Sequence, residues 1–395
     1  MILKNALVMD NDFQLKRLNL RIEGGKIAEI SEHLDQPGLD LSGMYILPGF
    51  IDTHIHGAYG VRVSDTKAEL AQITRFEATQ GVTGIAITTA SSTREDLLKQ
   101  IDTAVAASEK WSSGHEEEIS DAGVKGTGAK IVAVHAEGPF LSRKFKGAMN
   151  PDNILAPNRD MLDEMLAHSH GLLKLLTVAP EEEGALELIS YAAGKGITVS
   201  MGHTNATYED VMKAMKAGAL RTTHTFNAMR PLNHREPGIL GAALTQPEIS
   251  CEMICDYVHL HPATVKLLYL TKGAERLMMV SDSGHAAGLS IPEFTVDGIT
   301  RYVKDGVVRL ADGTIAGSAK TLLDGVRNLW KDGIPLSDIS RMASYNPART
   351  LQMDHLTGSI QAGKLADLVV LDENLRVSCT FVNGACVYEA CSRNA

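Results

Sequence analysis

The sequence predicts an α/β fold: a (β/α)8 TIM-like barrel with a small β-sandwich domain built from both chain ends. Three observations carry this. Short apolar runs alternate with helix-patterned stretches eight times between residues 49 and 356. The two chain ends read as strands while the middle does not. Histidines and carboxylates recur where apolar runs finish, which is where a barrel keeps its chemistry.

In chain order, the first 47 residues alternate as short strands (ILKNALVMD, FQLKRLNLRIEGGKIAEI, MYILPGF), with the EGGK turn marking a hairpin. The barrel runs follow: FIDTHIH, TGIAITTA, KIVAVHAEG, LLKLLTVAP, ITVSMGH, RTTHTFNAM, ISCEMICDYVH and RLMMVSDSG. Helical patterns separate them, from AELAQITRFEATQG to KTLLDGVRNLWKDG, with a weak one (GILGAALT) after the sixth run. A hairpin-like excursion, IPEFTVDGITRYVKDGVVRLADGTIAGS, precedes the last helix, and residues 112–130 read as a polar surface loop without chemistry. The C-terminal stretch returns to alternating β-branched residues around an Asn383-Gly384 turn. The expected division is residues 1–48 with 357–391 as the small β domain and 49–356 as the catalytic barrel. About 300 residues of strand–helix units suit a barrel, which typically takes about 250 plus insertions. The alternative, a doubly wound open sheet, would bring a glycine-rich phosphate loop after an early strand, and none is seen.

Of 395 residues 44% are hydrophobic, enough for a large core, and the formal net charge of −10 comes with scattered Lys and Arg. With no basic patch, nucleic acid is not an expected partner, whereas a few local cations and backbone N–H groups can still hold one phosphate. No charged-then-apolar leader and no run of about 18 apolar residues occurs, so membrane association is not expected. The five cysteines are too few and clustered for a disulfide framework; Cys251-x3-Cys255 reads as buried thiols in a strand rather than half a metal site, and the expected compartment is the cytoplasm.

His54 and His56 end the first run two residues apart, so both side chains leave a strand on one face. Glu137 ends the third run, His203 the fifth, and Asp282 the eighth, while His224 lies in the sixth. Six metal-capable groups thus fall at one end of five strands. Such donors suit Zn, Fe, Mn or Co, and they exceed the needs of one catalytic ion, so two ions bridged by a carboxylate are plausible on this reading. An ion there would lower the pKa of a coordinated water from about 16 to near 7, supplying hydroxide as nucleophile, with Asp282 as the general acid/base. His135, two residues before Glu137, reads equally as a support for this cluster or as a packed histidine.

The segments HIH, HAEGPF, SMGHT, HTFNAM and VSDSG, in this order, resemble the amidohydrolase superfamily, and within it the N-acetylglucosamine-6-phosphate deacetylase group. The resemblance runs nearly end to end, through PGFIDTHIHG, HREPGILGAAL, GTIAGSAKTL, NPART and GKLADLVVLD. It implies hydrolysis of the acetamide of N-acetyl-D-glucosamine 6-phosphate to glucosamine 6-phosphate and acetate, with one or two divalent ions per subunit. Many amidohydrolases bridge their metals with a carboxylated lysine on the fourth strand; here that strand ends LLTVAPE, and the resemblance puts Glu137 in the bridging position. It also implies that His203, His224 and Glu137 hold one ion, and that His54, His56, Glu137 and Asp282 hold a second. Asn227, the backbone N–H of Ala228, Arg235 and His259 are implied as substrate contacts, with Arg235 reaching the neighbouring active site of a homodimer.

Two departures bear on the sugar. Met149 stands in KGAMNP where many members have a histidine, and SDSGHAAG puts Gly284 and His285 beside Asp282. They leave N-acetylgalactosamine 6-phosphate, or another N-acyl substrate, as the alternative for the same chemistry. A ring-amide or N-acyl amino acid hydrolase and a non-catalytic assembly protein are the more distant readings.

Overall fold

The structure is a computed structural model that describes residues 1–112, 128–296, 298–304 and 306–390. Most of the expected polar loop (113–127) and Cys391 lie outside the described residues.

Eight parallel strands form one sheet in sequence order: β1 (Phe50–Ile55), β2 (Val82–Thr89), β3 (Lys130–Glu137), β4 (Leu173–Val178), β5 (Thr198–Met201), β6 (Arg221–Thr222), β7 (Ser250–Ile254) and β8 (Leu277–Val280). The ring closes just past the ends of its first and last strands. Asp282 N–H donates to the His54 carbonyl at 2.9 Å, and His56 N–H donates to Ser283 at 2.8 Å. The helices after successive strands are α1 (Lys67–Thr79), α2 (Arg94–Ser112), α3 (Arg159–Ser169), α4 (Ala185–Gly194), α5 (Tyr208–Ala217), α6 (Gly238–Thr245), α7 (Pro262–Lys272) and α8 (Leu322–Lys331). Thr66, Thr207 and Thr321 open α1, α5 and α8 with capping boxes that satisfy orphan N–H groups.

Alternation along the strands sorts the core. Ile85 and Ile87 of β2 join the large outer core packed on the helices, while Ala86 joins Ile51, Ala133, Leu175, Ala348 and Leu351 in a separate cluster that fills the barrel's base. The excursion is a four-stranded antiparallel sheet over residues 293–318.

The second large sheet takes strands from both chain ends. Its order is Ala385–Glu389, Val377–Val382, Leu368–Leu371, Tyr45–Pro48, Ile2–Met9, Leu15–Glu23 and Lys26–Ser31, with Leu39–Asp40 also paired to Ile2–Met9. Asn383-Gly384 (φ 47° and 75°) makes the expected tight turn, since both central positions need positive φ. Lys130, at the start of β3, reaches Asp367 at 2.6 Å and Asn383 at 3.0 Å, tying the barrel to this sheet.

Candidate metal centre

The six expected ligands meet at the C-terminal mouth of the barrel. His203 and His224 present Nε2 to Glu137 Oε1 at 3.1 and 2.8 Å, and to each other at 3.1 Å. His56 Nε2 lies 3.1 Å from Glu137 Oε2 and 3.2 Å from His54 Nε2. Asp282 Oδ1 is 3.6 and 3.5 Å from the Nε2 atoms of His54 and His56. Glu137 therefore stands among all four imidazoles, with Oε1 toward His203, His224 and, at 3.5 Å, His54, and Oε2 toward His56.

Local backbone turns these side chains inward. His203, His224 and Asp282 follow their strands with left-handed φ of 46°, 30° and 47°. Such conformations cost non-glycine residues about 1–3 kcal/mol each and cluster where chemistry fixes a side chain. Ring orientation is set from outside: His56 Nδ1–H donates to the Thr88 carbonyl (3.0 Å) and His203 Nδ1–H to the Phe145 carbonyl (2.8 Å). Each bond leaves an Nε2 lone pair facing the centre. The Phe145 loop lies so close that a Cβ on Gly147 (φ 58°) would sit 3.1 Å from His203 Cε1.

The electrostatics favour a cation. Burial pushes the Glu137 carboxyl up, but His54, His203 and His224 more than offset this and hold it well below the usual carboxylate range. Burial disfavours charge on His54, yet Glu137, Asp282 and Glu252 hold its proton well above the ordinary imidazole value. Nitrogen lone pairs about 3 Å apart repel unless a positive charge lies among them. The spacing is close to the roughly 3.4 Å edge of a tetrahedron with about 2.1 Å bonds, so the donors fit a divalent metal.

His135 is buried beneath this layer, donating through Nδ1 to the Thr53 carbonyl (3.1 Å) and accepting at Nε2 from Thr177 (2.8 Å). Burial first, and then the charge of His54, bring it down to about 3, so it is a neutral supporting ring. Sequence reading missed three groups around the centre. Glu252 accepts from His54 Nδ1–H and is paired with Arg221, both fully enclosed. Asp256 accepts from His259 Nδ1–H at 2.8 Å and caps two backbone N–H groups at 2.9 Å. Burial disfavours the charged His259 ring, and Asp256 reverses this, leaving its pKa raised. The available signal was charge inside apolar strand runs (SCEMI, ICD), which burial penalises unless it has a task.

Of the expected substrate contacts, Asn227 and Ala228 follow His224 at the mouth, with the Asn227 amide donating to the His224 carbonyl at 3.2 Å. Arg235 is exposed and lines a cavity of about 600 Å³ with Lys144, Phe145, Asn205, Arg230 and Glu236. Phe145 and Asn205 join that cavity to the His203 loop. His261 caps α7, accepting from Ala263 N–H at 3.1 Å. Met149 closes a turn onto Lys146 (3.1 Å) in the loop beside His203, and the His285 ring stacks on Phe294 of the excursion at 4.7 Å. Gly284 faces open space.

Residues 45–387 match the model of the amidohydrolase family. The chain belongs to the amidohydrolase family. Among similar proteins is the N-acetylglucosamine-6-phosphate deacetylase of Vibrio furnissii, 35% identical over 93% of this chain and 90% of that one. The N-acetylgalactosamine-6-phosphate deacetylase of Escherichia coli O157:H7 is 32% identical over 97% and 98%. Among solved structures, a mutant N-acetyl-D-glucosamine-6-phosphate deacetylase from Mycobacterium smegmatis, in complex with N-acetyl-D-glucosamine-6-phosphate, superposes with a TM-score of 0.88. It is 32% identical, covering 98% of this amidohydrolase and 99% of its own chain. Among the described residues, no helix is long and apolar enough to cross a membrane.

Proposed function

We propose that this amidohydrolase removes the acetyl group of N-acetyl-D-glucosamine 6-phosphate, giving glucosamine 6-phosphate and acetate. The observation that carries the reading is the Glu137-centred cluster of four imidazoles and Asp282, placed beside a mouth lined by Lys144, Arg230 and Arg235. The full-length similarity to deacetylases of N-acetyl amino sugar 6-phosphates supports the substrate class. His203, His224 and Glu137 would hold one ion, and His54, His56, Glu137 and Asp282 a second, with Zn, Fe, Mn and Co all compatible with the donors. A divalent ion there supplies Lewis acidity to the acyl carbonyl and acidifies the attacking water.

Asp282 accepts the proton that water loses on attacking the acetyl carbon, then delivers it to the amide nitrogen as the C–N bond breaks, releasing acetate and the free amine. His259, held by Asp256, contacts the sugar, while Asn227, the Ala228 N–H, Lys144 and Arg230 take the phosphate. A homodimer fits the exposed Arg235, which a second copy would present to the neighbouring mouth. We place the enzyme in the cytoplasm, in keeping with the free thiols of Cys251 and Cys255. Residues 49–356 form the catalytic unit in this reading, with 1–48 and 357–391 as its β companion.

A second reading keeps the reaction and changes the sugar to N-acetylgalactosamine 6-phosphate; Met149 beside the His203 loop favours it, since a thioether cannot donate a hydrogen bond. The test is acetate release by metal-loaded protein from N-acetylglucosamine 6-phosphate, its galactosamine epimer and unphosphorylated N-acetylglucosamine. Preference for the first is expected, preference for the epimer selects the second reading, and no release from either phosphate overturns both.

A further inference from the structure

Beneath the metal centre, β7 carries Glu252 with its side chain fully enclosed. One of its oxygens, Oε2, receives two hydrogen bonds, from His54 Nδ1–H at 3.1 Å and from the His224 peptide N–H at 2.9 Å. The other, Oε1, is bound by the Arg221 guanidinium, whose Nη2 also donates to Thr53 Oγ1 at 2.9 Å. Thr53 adjoins His54 in β1, so the chain of bonds returns to the strand that it supports.

The chemistry of these contacts is specific. An ionised carboxylate beside a guanidinium has no proton to give, so His54 must be the donor through Nδ1. That choice makes Nε2, the atom that faces His56, Glu137 and Asp282, the one available to an ion. His56 and His203 are oriented by backbone carbonyls, whereas His54 is oriented by a charged group. His54 and His224 belong to opposite halves of the centre, and the same oxygen touches both. His54, His135 and Glu252 could by their spacing hold an ion of their own, but the Arg221 charge already occupies the carboxylate that would bind it.

We propose that Glu252, clamped by Arg221, is a positioning residue that fixes the His54 ring for metal binding and couples the two halves of the centre. It acts through His54 and the His224 backbone and touches no reacting atom. The inference rests on the metal-centre reading given above. Carboxylate partners of ligating histidines typically contribute about 10–100-fold in metal affinity.

The experiment is Co2+ binding to metal-stripped full-length protein, followed by competition with a chromogenic chelator and by the visible spectrum of the bound ion. Wild type, E252Q and L175A are compared, with circular dichroism reporting the fold. E252Q is expected to bind about 10–100-fold more weakly with an altered Co2+ spectrum. L175A, which loosens the base without touching a ligand, is expected to bind as wild type. Equal affinity and an unchanged spectrum for E252Q overturn the inference. A wild type that takes up no Co2+ overturns the metal-centre reading itself. Should E252Q fail to fold, Co2+-loaded wild type decides. Its hyperfine-shifted His54 Nδ1–H, enclosed against a carboxylate, is expected to outlast that of half-buried His56 in deuterium oxide, and faster loss from His54 overturns the proposal.

Discussion

Below the mouth of the barrel, Ile51, Ala86, Ala133 and Leu175 meet Ala348 and Leu351 in an aliphatic cluster. Where the same strands finish, four histidines and two carboxylates stand within 3.6 Å of a neighbour. Both ends are largely buried, so burial does not distinguish them. The difference is what each layer does with its low dielectric: the base uses it for packing, and the mouth uses it to strengthen charge interactions. Between them lies a polar layer, His135, Thr177, Thr223, Ser200, Arg221 and Glu252, whose members bond to one another. This layer lets one strand pass from aliphatic to ionic surroundings without leaving most of its polar groups unpaired.

If the two ends are separable, substitutions should sort by end. The largest effect on rate is expected from Asp282→Asn at the mouth. Loss of a general acid/base typically costs about 10²–10⁴ in rate. We expect kcat for acetate release to fall by that order, with the melting temperature near that of wild type. A fall in stability without a fall in kcat would remove Asp282 from its role.

At the base, Leu175→Ala should act the other way. A buried leucine cut to alanine typically costs about 2–5 kcal/mol, partly because a cavity remains. Urea or thermal unfolding should show that loss, while the kcat of folded protein stays close to wild type. A large kcat effect would mean that the ends are mechanically coupled.

Arg235→Ala should give a smaller effect, confined to binding. A charge-assisted hydrogen bond is worth about 1.5–3 kcal/mol, which converts to roughly 10–100-fold in KM. KM for a phosphorylated substrate should rise by that amount, and KM for a neutral N-acetyl sugar should change little. If neither moves, the phosphate does not sit at the Arg235 mouth.

The same contrast explains what the sequence makes legible. All eight strands are readable because each is a short apolar run flanked by helical periodicity, and the candidate ligands are readable because barrel strands end in their chemistry. Even the two-residue β6 was marked by RTTHTFNAM, although its helix is weak. The supporting groups were harder. Glu252 and Arg221 lie within strands, where one-dimensional pattern does not show which residue faces which across the ring. His135 stayed open for the same reason: its role depends on Thr53 and Thr177, which are 82 and 42 residues away. The Lys144 and Arg230 contribution to the mouth is likewise invisible without the fold, since the two come from loops after different strands.

Glu77 on α1 tests the outer side of the barrel and should give the smallest effect. Its side chain is fully buried, and neither carboxyl oxygen has a hydrogen-bond partner among the described residues. Burial, and then the nearby Asp52 carboxyl, raise its pKa well above the ordinary value. The sign follows from linkage. Below about pH 4.3 both the folded and unfolded states hold the proton, and Glu77 adds no pH dependence. Above that, the unfolded chain releases the proton while the folded chain keeps it, so stability falls as pH rises until the folded-state pKa is passed. Glu77→Gln removes this term. The stability of the variant relative to wild type should therefore improve between pH 5 and pH 8, read as the difference in denaturation midpoints at each pH. A difference that stays constant across that range would mean that Glu77 is ionised in the folded protein, and that a cation or a hydrogen-bond donor reaches it between α1 and the barrel.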